Sequence, residues 1–209
     1  MIMTELSLVN RYRARRTAFY LWRNNAGIIT MLFLSLMMSC FTGIMAQIVV
    51  YLPWTPVPLT GQTLAVLLSG IVLGRWGAMS QVLYIAIGLA GIPWFAGAQG
   101  GAGVAAGPTF GYLAGFVVSA YLVGSLIDRY AMMRKLIPLT LIMSAANFGV
   151  ILGLGALYLS LWLSATKGET PPLDQLLMMG VIPFIPGAVV KTVLAAVIGR
   201  AIVPYHIKQ

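Results

Sequence analysis

Apolar residues run through this chain in long unbroken stretches, with polar residues gathered in short intervals between them. A run of roughly 20 apolar residues crosses a bilayer as a helix, whereas barrel strands would alternate apolar and polar positions. The pattern therefore predicts an all-α integral membrane protein. The first run, Gly27 to Leu52, reads as one spanning helix, and the segment PWTPVPLTG from Pro53 to Gly61 has three prolines that cannot all continue it. From Gln62 to Ile92 the run fits either one long helix or two short ones joined at LGRWGA, Leu73 to Ala78. A further helix is predicted from Pro108 or Thr109 to Ile127, with proline tolerated in its first turn, and another from Leu136 to Leu163. The last segment, LLMMGVIPFIPGAVVKTVLAAVIGR, is interrupted at Pro183 and at Pro186 with Gly187, so a short piece, a break and a final helix from Gly187 to Arg200 are expected. The first-turn N–H groups of that helix, near Gly187, would then open into a cavity at membrane depth, an arrangement that builds anion sites in transporters.

Charge placement chooses between the two readings of Gln62 to Ile92. With a turn at Arg75, eleven of the thirteen Lys and Arg residues fall on one side: Arg11, Arg13, Arg15, Arg16, Arg23, Arg75, Arg129, Arg134, Lys135, Arg200 and Lys208. Lys167 falls on the other side and Lys191 within the membrane. Without that turn the later segments invert and an arginine lies in mid-helix, at a cost of about 2.5–3.5 kcal/mol. The expectation is six transmembrane helices with N and C termini cytoplasmic and a glycine-rich outer loop between helices 3 and 4. Residues 1–26 would form a basic cytoplasmic arm, 27–203 the membrane domain and 204–209 a cytoplasmic tail.

Composition agrees with this picture and narrows the chemistry. The chain has 209 residues, 60% hydrophobic and 8% charged, with mean hydropathy +0.93, against roughly 25% charged residues in a soluble domain. Its net charge of +9 lies between the apolar runs and forms no nucleic-acid patch. The five arginines of the N-terminal segment and the length of the run behind them do not suit a removable signal peptide. Cys40 is the single cysteine, so no intramolecular disulfide forms. There is no G-x-x-x-x-G-K-[ST] phosphate loop, and with one histidine, His206, and no membrane carboxylate, neither a metal site, a nucleophilic triad nor a proton relay can be assembled. These absences speak against an enzyme and against a cofactor.

The candidate chemistry is that of a binding site. FAGAQGGAGVAAGPTFGY, Phe95 to Tyr112, holds six glycines, Gly100 and Gly101 among them, and no charge. Flanked by apolar runs, it reads as irregular backbone walling or covering a bound small molecule. Lys191 is either a ligand-binding cation, a lysine reaching toward the interface, or one paired with carbonyls freed by the Pro183 and Pro186 breaks. Gln47, Thr60, Gln62, Gln99 and Asn147 gather toward the outer halves, where an amide-like group and interhelical hydrogen bonds are equally good partners. Tyr84, Trp94, Phe95 and Tyr112 fit either pocket walls or interfacial anchors. Small residues recur every four positions at Ser35, Ser39 and Gly43, and at Gly111, Gly115 and Ser119, where another helix can approach.

VPLTGQTLAVLL (Val57 to Leu68), PWFAGAQGGAGVAAGPTFGYLAGF (Pro93 to Phe116) and IPFIPGAVVK (Ile182 to Lys191), in this order and spacing, resemble the biotin-specific substrate-binding component of energy-coupling-factor transporters, the BioY family. The resemblance covers about Ile28 to Arg200. It implies six helices, biotin bound near the outer face, no catalysis, and a membrane coupling subunit with two ATPase subunits as partners in the cell membrane. A related S component for another small vitamin or a biotin precursor is the alternative. Lys191, Gln99, Gly100, Gly101, Tyr112, Asn147, Phe95, Tyr84 and Thr60 are the expected substrate-binding residues, and Ser35, Ser39 and Gly43 the expected surface for the coupling subunit. Two positions depart from the family pattern: Ala188 stands where a D-x-x-K motif often has its aspartate, and Phe110 where a second glycine is favoured.

Overall fold

A computed structural model describes residues 2–168 and 170–204, with side chains from Val9 onward. The expected tail from Tyr205, with His206 and Lys208, and Glu169 of the polar loop lie outside the described residues. The N-terminal segment, expected as an arm, is a helix, α1 (Ile2–Asn25). It is followed by α2 (Ile28–Ala46), a two-stranded hairpin of β1 (Val49–Val50) and β2 (Leu59–Thr60), α3 (Gln62–Leu73), α4 (Gly77–Leu89) and α5 (Phe110–Arg129). One long rod then comprises α6 (Leu136–Ser144), a π-helical segment (Ala145–Leu152) and α7 (Gly153–Lys167). The chain ends in α8 (Leu173–Gly180) and α9 (Ile185–Ile202). Among the described residues, five stretches are long and apolar enough to cross a membrane: α2, Gln62–Leu89, α5, Leu136–Lys167 and Leu173–Ile202.

Several boundaries differ from the sequence reading for local reasons. The first helix stops at Ala46 and not at Leu52, because the N–H of Gly61 takes up the carbonyls of Met45 (3.1 Å) and Ile48 (3.0 Å), which lets Val49 and Val50 pair with Thr60 and Leu59. The final helix begins at Ile185, two residues before Gly187, since a proline in the first turn removes only an N–H that has no helical partner. The rod continues to Lys167 and ends on Gly168 in the left-handed conformation.

The stretch from Gln62 to Leu89 is a tight antiparallel pair. Gln62 bonds Tyr84 at its open end (2.7 Å), and near the turn Gln81 bonds Ser69 (3.3 Å). The turn passes through Gly74 at φ +61°, and a Cβ there would strike the Asp128 carboxylate. Asp128 thus sits under the turn, where it also accepts the N–H of Arg75 (3.1 Å) and pairs with Arg23. The Arg23 side chain is 2% exposed and reaches the α3 carbonyls of Ile71 and Val72. Tyr20 lies between the guanidinium groups of Arg23 (4.5 Å) and Arg134 (4.4 Å). One end of the bundle is therefore tied together by the arginines that the sequence groups on one side.

α5 is the central element, packed on α3, α4, the π segment and α7. Its stripe of Gly111, Gly115 and Ser119 meets Tyr158, Ile151 and the carbonyl of Ala146. The other stripe corrects the sequence reading. Ser35, Ser39 and Gly43 are buried inside the chain, with Ser35 bonded to the Trp76 carbonyl and Gly43 closed off by Trp94, so they offer no surface to a partner. The small side chains serve the close approach of α2 to α4.

Removing the Asp128 carboxylate leaves a buried guanidinium without its counter-charge, which costs about 3 kcal/mol or more. Asp128→Ala should lower the midpoint of thermal unfolding in detergent by about 6–12 °C. An unchanged midpoint would mean that the pair does not hold the turn.

Candidate functional site

At the end of the bundle opposite Arg23 lies a cavity of about 460 Å³. Its walls come from the β1–β2 loop, the first turn of α3, the glycine segment, α5, the π segment and α9. α5 and α7 touch closely on one flank, where a Cβ at Gly155 would overlap the ring of Tyr112. That ring borders the cavity while its hydroxyl donates to the Gly180 carbonyl (2.8 Å), and Phe184 lies against it at 5.9 Å.

Of the nine residues expected to bind substrate, Lys191, Gln99, Gly100, Tyr112, Asn147, Phe95 and Thr60 line this space. Two do not. Tyr84 is fully buried behind Phe95 and spends its hydroxyl on Gln62 and the Trp94 carbonyl. Gly101 turns away at φ +95° and gives its N–H to the Gly88 carbonyl (2.8 Å). Gly187 is likewise off the wall, and Phe184, Ala188 and Lys191 are what the last segment contributes.

The polar groups of the cavity are few and distinct. Lys191 donates to the carbonyl of Thr60 at 2.8 Å, tying α9 to β2. An ammonium carries three donors, so this contact leaves it capacity for a ligand. Asn147 donates through Nδ2 to the Ala188 carbonyl (3.3 Å) and to Thr192 (3.0 Å). Because a carbonyl only accepts, that contact fixes which way the amide points. Its Oδ1 is buried with no partner among the described residues, and so is Oγ1 of Thr63. Both residues line the cavity, and buried polar atoms left open in this manner require a partner. Asn147 stands in the π segment, whose widened turn interrupts the rod where it borders the site.

Thr63 escaped the sequence reading, although it follows Gln62 in the first turn of α3, where N–H groups lack helical partners. Phe184, Tyr51 and Val57 also line the cavity unforeseen, since the apolar residues of a membrane chain do not mark themselves as pocket walls.

The glycine segment is ordered as two short 3-10 turns, Ala96–Ala98 and Ala102–Ala106, that cover one side of the cavity. Gln47 fastens its near end: Nε2 donates to the carbonyls of Trp94 (3.1 Å) and Phe95 (3.2 Å), and Oε1 accepts the N–H of Ala98 (3.2 Å). Tyr158 and Trp162 of α7 fasten the far end through the carbonyls of Ala105 (2.9 Å) and Ala106 (2.7 Å).

Comparison with known proteins places this arrangement. A family model described as "BioY family" matches residues 15–207. A probable biotin transporter BioY of Methanothermobacter thermautotrophicus is 47% identical over 138 residues, 66% of this chain and 88% of that protein. The biotin transporter BioY of Rhodobacter capsulatus is 34% identical over 176 residues, 78% of this chain and 92% of that protein. Among solved structures, the S-component for biotin from an ECF-type ABC transporter superposes with a TM-score of 0.72 at 26% identity, covering 82% of this chain and 89% of the other. With a match along nearly all of its length and the cavity at the segments that carry the resemblance, the chain belongs to the BioY family.

Proposed function

We propose that this chain binds biotin in the cavity beneath the glycine segment and serves as the substrate-binding subunit of an energy-coupling-factor transporter, taking up the vitamin across the cell membrane. It performs no catalysis, and a membrane coupling subunit with two ATPase subunits would supply the energy, in keeping with a sequence that lacks a phosphate loop. In this reading α2, α3, α4, α5, the α6–α7 rod and α8 with α9 are six membrane elements. Both termini are cytoplasmic, at the arginine-rich end, and the glycine segment faces out.

The observation that carries the reading is a cation and an unpartnered amide oxygen on two residues that line the same cavity. Lys191 offers N–H donors, and Asn147 Oδ1, held one helical turn away through Ala188 and Thr192, offers an acceptor. A ureido group presents a carbonyl oxygen flanked by N–H donors and satisfies both. A carboxylate would satisfy the lysine alone. Asn147 supplies the acceptor that the aspartate of the D-x-x-K pattern would otherwise provide at position 188, here Ala188. The remaining wall, with Val57, Phe116, Ile151 and Phe184, is apolar and suits the bicycle and its alkyl chain. The relatives named for biotin transport support the choice of ligand.

Purified chain should bind labelled biotin, and desthiobiotin, which keeps the ureido group, should compete, while thiamine and riboflavin should not. Displacement by either of the latter would favour an S component for another vitamin. Lys191→Ala should weaken binding roughly 10- to 100-fold and Asn147→Leu roughly tenfold, with the elution profile preserved. Wild-type affinity in both variants would remove the ureido assignment.

The glycine segment acts as the lid of this site, with Gln47 its latch. Gln47→Leu deletes three hydrogen bonds of about 1 kcal/mol each, so amide exchange across Phe95–Ala106 should accelerate by an order of magnitude or more and biotin should dissociate faster. Exchange no faster than wild type would assign the hold on the segment to Tyr158 and Trp162 alone.

A further inference from the structure

α1 is the one helix that runs across the bundle and not along it. Tyr12 and Arg16 reach the end of α9, bonding the carbonyls of Ala201, Arg200 and Val203. Tyr20 bonds Arg134 just before α6, and Arg23 meets the ends of α3 and α5. Four helix ends at the same face of the bundle are thus crossed by successive turns of a single helix. The side chains that do this, Tyr12, Arg16, Tyr20 and Arg23, form one stripe at helical spacing.

The adjoining stripe, one residue back and about 100° round the helix, is Arg11, Arg15, Phe19 and Trp22. Since the first stripe turns into the bundle, its neighbour faces sideways, along the plane in which the helix ends lie. All four side chains are exposed, Phe19 and Trp22 at 38% and 48%, and the two rings contact each other at 6.0 Å. Among the described residues neither Arg11 nor Arg15 makes an ion pair or a side-chain hydrogen bond. The face beyond, with Ala14, Ala18, Leu21 and Asn25, carries no charge, and exposed guanidinium groups and rings of α1 meet on the Arg11–Trp22 stripe. Two aromatic rings beside two unpaired guanidinium groups, at the level where membrane helices end, match the chemistry of an anionic lipid interface: rings at the headgroup boundary, cations on phosphates.

We propose that the Arg11–Arg15–Phe19–Trp22 stripe binds anionic phospholipid headgroups, making α1 an in-plane anchor of the bundle. The proposal rests on the reading of the chain as a multi-pass membrane protein and not on the identity of its ligand, so a failure to bind biotin would leave it standing. The test is limited trypsin digestion of the full chain in nanodiscs of phosphatidylcholine alone or mixed with phosphatidylglycerol, with cleavage after Arg11, Arg13 and Arg15 read by mass spectrometry. Cleavage after Lys167, on the opposite side, is the internal reference for protease adsorption.

Relative to that reference, phosphatidylglycerol should slow cleavage of α1 by about an order of magnitude, and high salt should abolish the effect. The Arg11→Gln/Arg15→Gln pair lacks two of the cleavage sites, so it is read at Arg13, and Phe19→Ser/Trp22→Ser at all three. Both should lose the lipid dependence while eluting as the wild type does. Equal cleavage in the two lipid compositions overturns the proposal. So does protection that appears only when other transporter subunits are present, which would assign the stripe to a protein.

Discussion

A polar group inside an apolar bundle needs a partner, and the architecture follows from how the few present are provided for. Lys191 takes the carbonyl of Thr60. Thr60 donates to Gln62 (2.7 Å), Gln62 to Tyr84 (2.7 Å), and Tyr84 to the carbonyl of Trp94 (3.3 Å). This line of bonds begins on α9, passes through β2, α3 and α4, and ends where the glycine segment starts. Each link joins one element to the next, so the cation, the β1–β2 hairpin and the start of the glycine segment hold their places together. In water such bonds would contribute little; away from it, leaving any member unpaired costs the desolvation of that group.

The two ends of the molecule satisfy this constraint in opposite ways. At the arginine-rich end charges are paired, stacked and closed over: Asp128 receives Arg23 and the turn at Gly74, and Tyr20 fills the space between two guanidinium groups. The result is a rigid base. At the cavity end two oxygens and part of an ammonium are left open. Gln81 Oε1, toward the turn, is also without a partner among the described residues, but only Asn147 and Thr63 carry such an oxygen on a residue that lines the cavity.

Much of this was legible in the chain. Continuous apolar runs announced the helices, and Arg75 announced the reversal between α3 and α4, because placing it in the membrane is costly while a glycine beside it permits the turn. Lys191 stood out as the one cation within an apolar run. What the sequence did not reveal were relations set by the third dimension. The small-residue stripe at Ser35, Ser39 and Gly43 has the same spacing whether it meets another protein or α4, and spacing alone does not say which. Tyr84 and Gly101 lie in the segments that form the site, yet one is held behind Phe95 and the other turned outward. Thr63 carries no signal until the absence of a partner for its hydroxyl can be seen.

The position of Lys191 joins these observations to transport. Its ammonium bonds a strand of the β1–β2 hairpin and borders the cavity. A ligand that draws the nitrogen toward itself therefore acts on β2 as well, and through Gln62 and Tyr84 on the start of the lid. At the far end, α1 lies across the ends of α3, α5 and α9, and its hydrogen bonds tie those ends to one another.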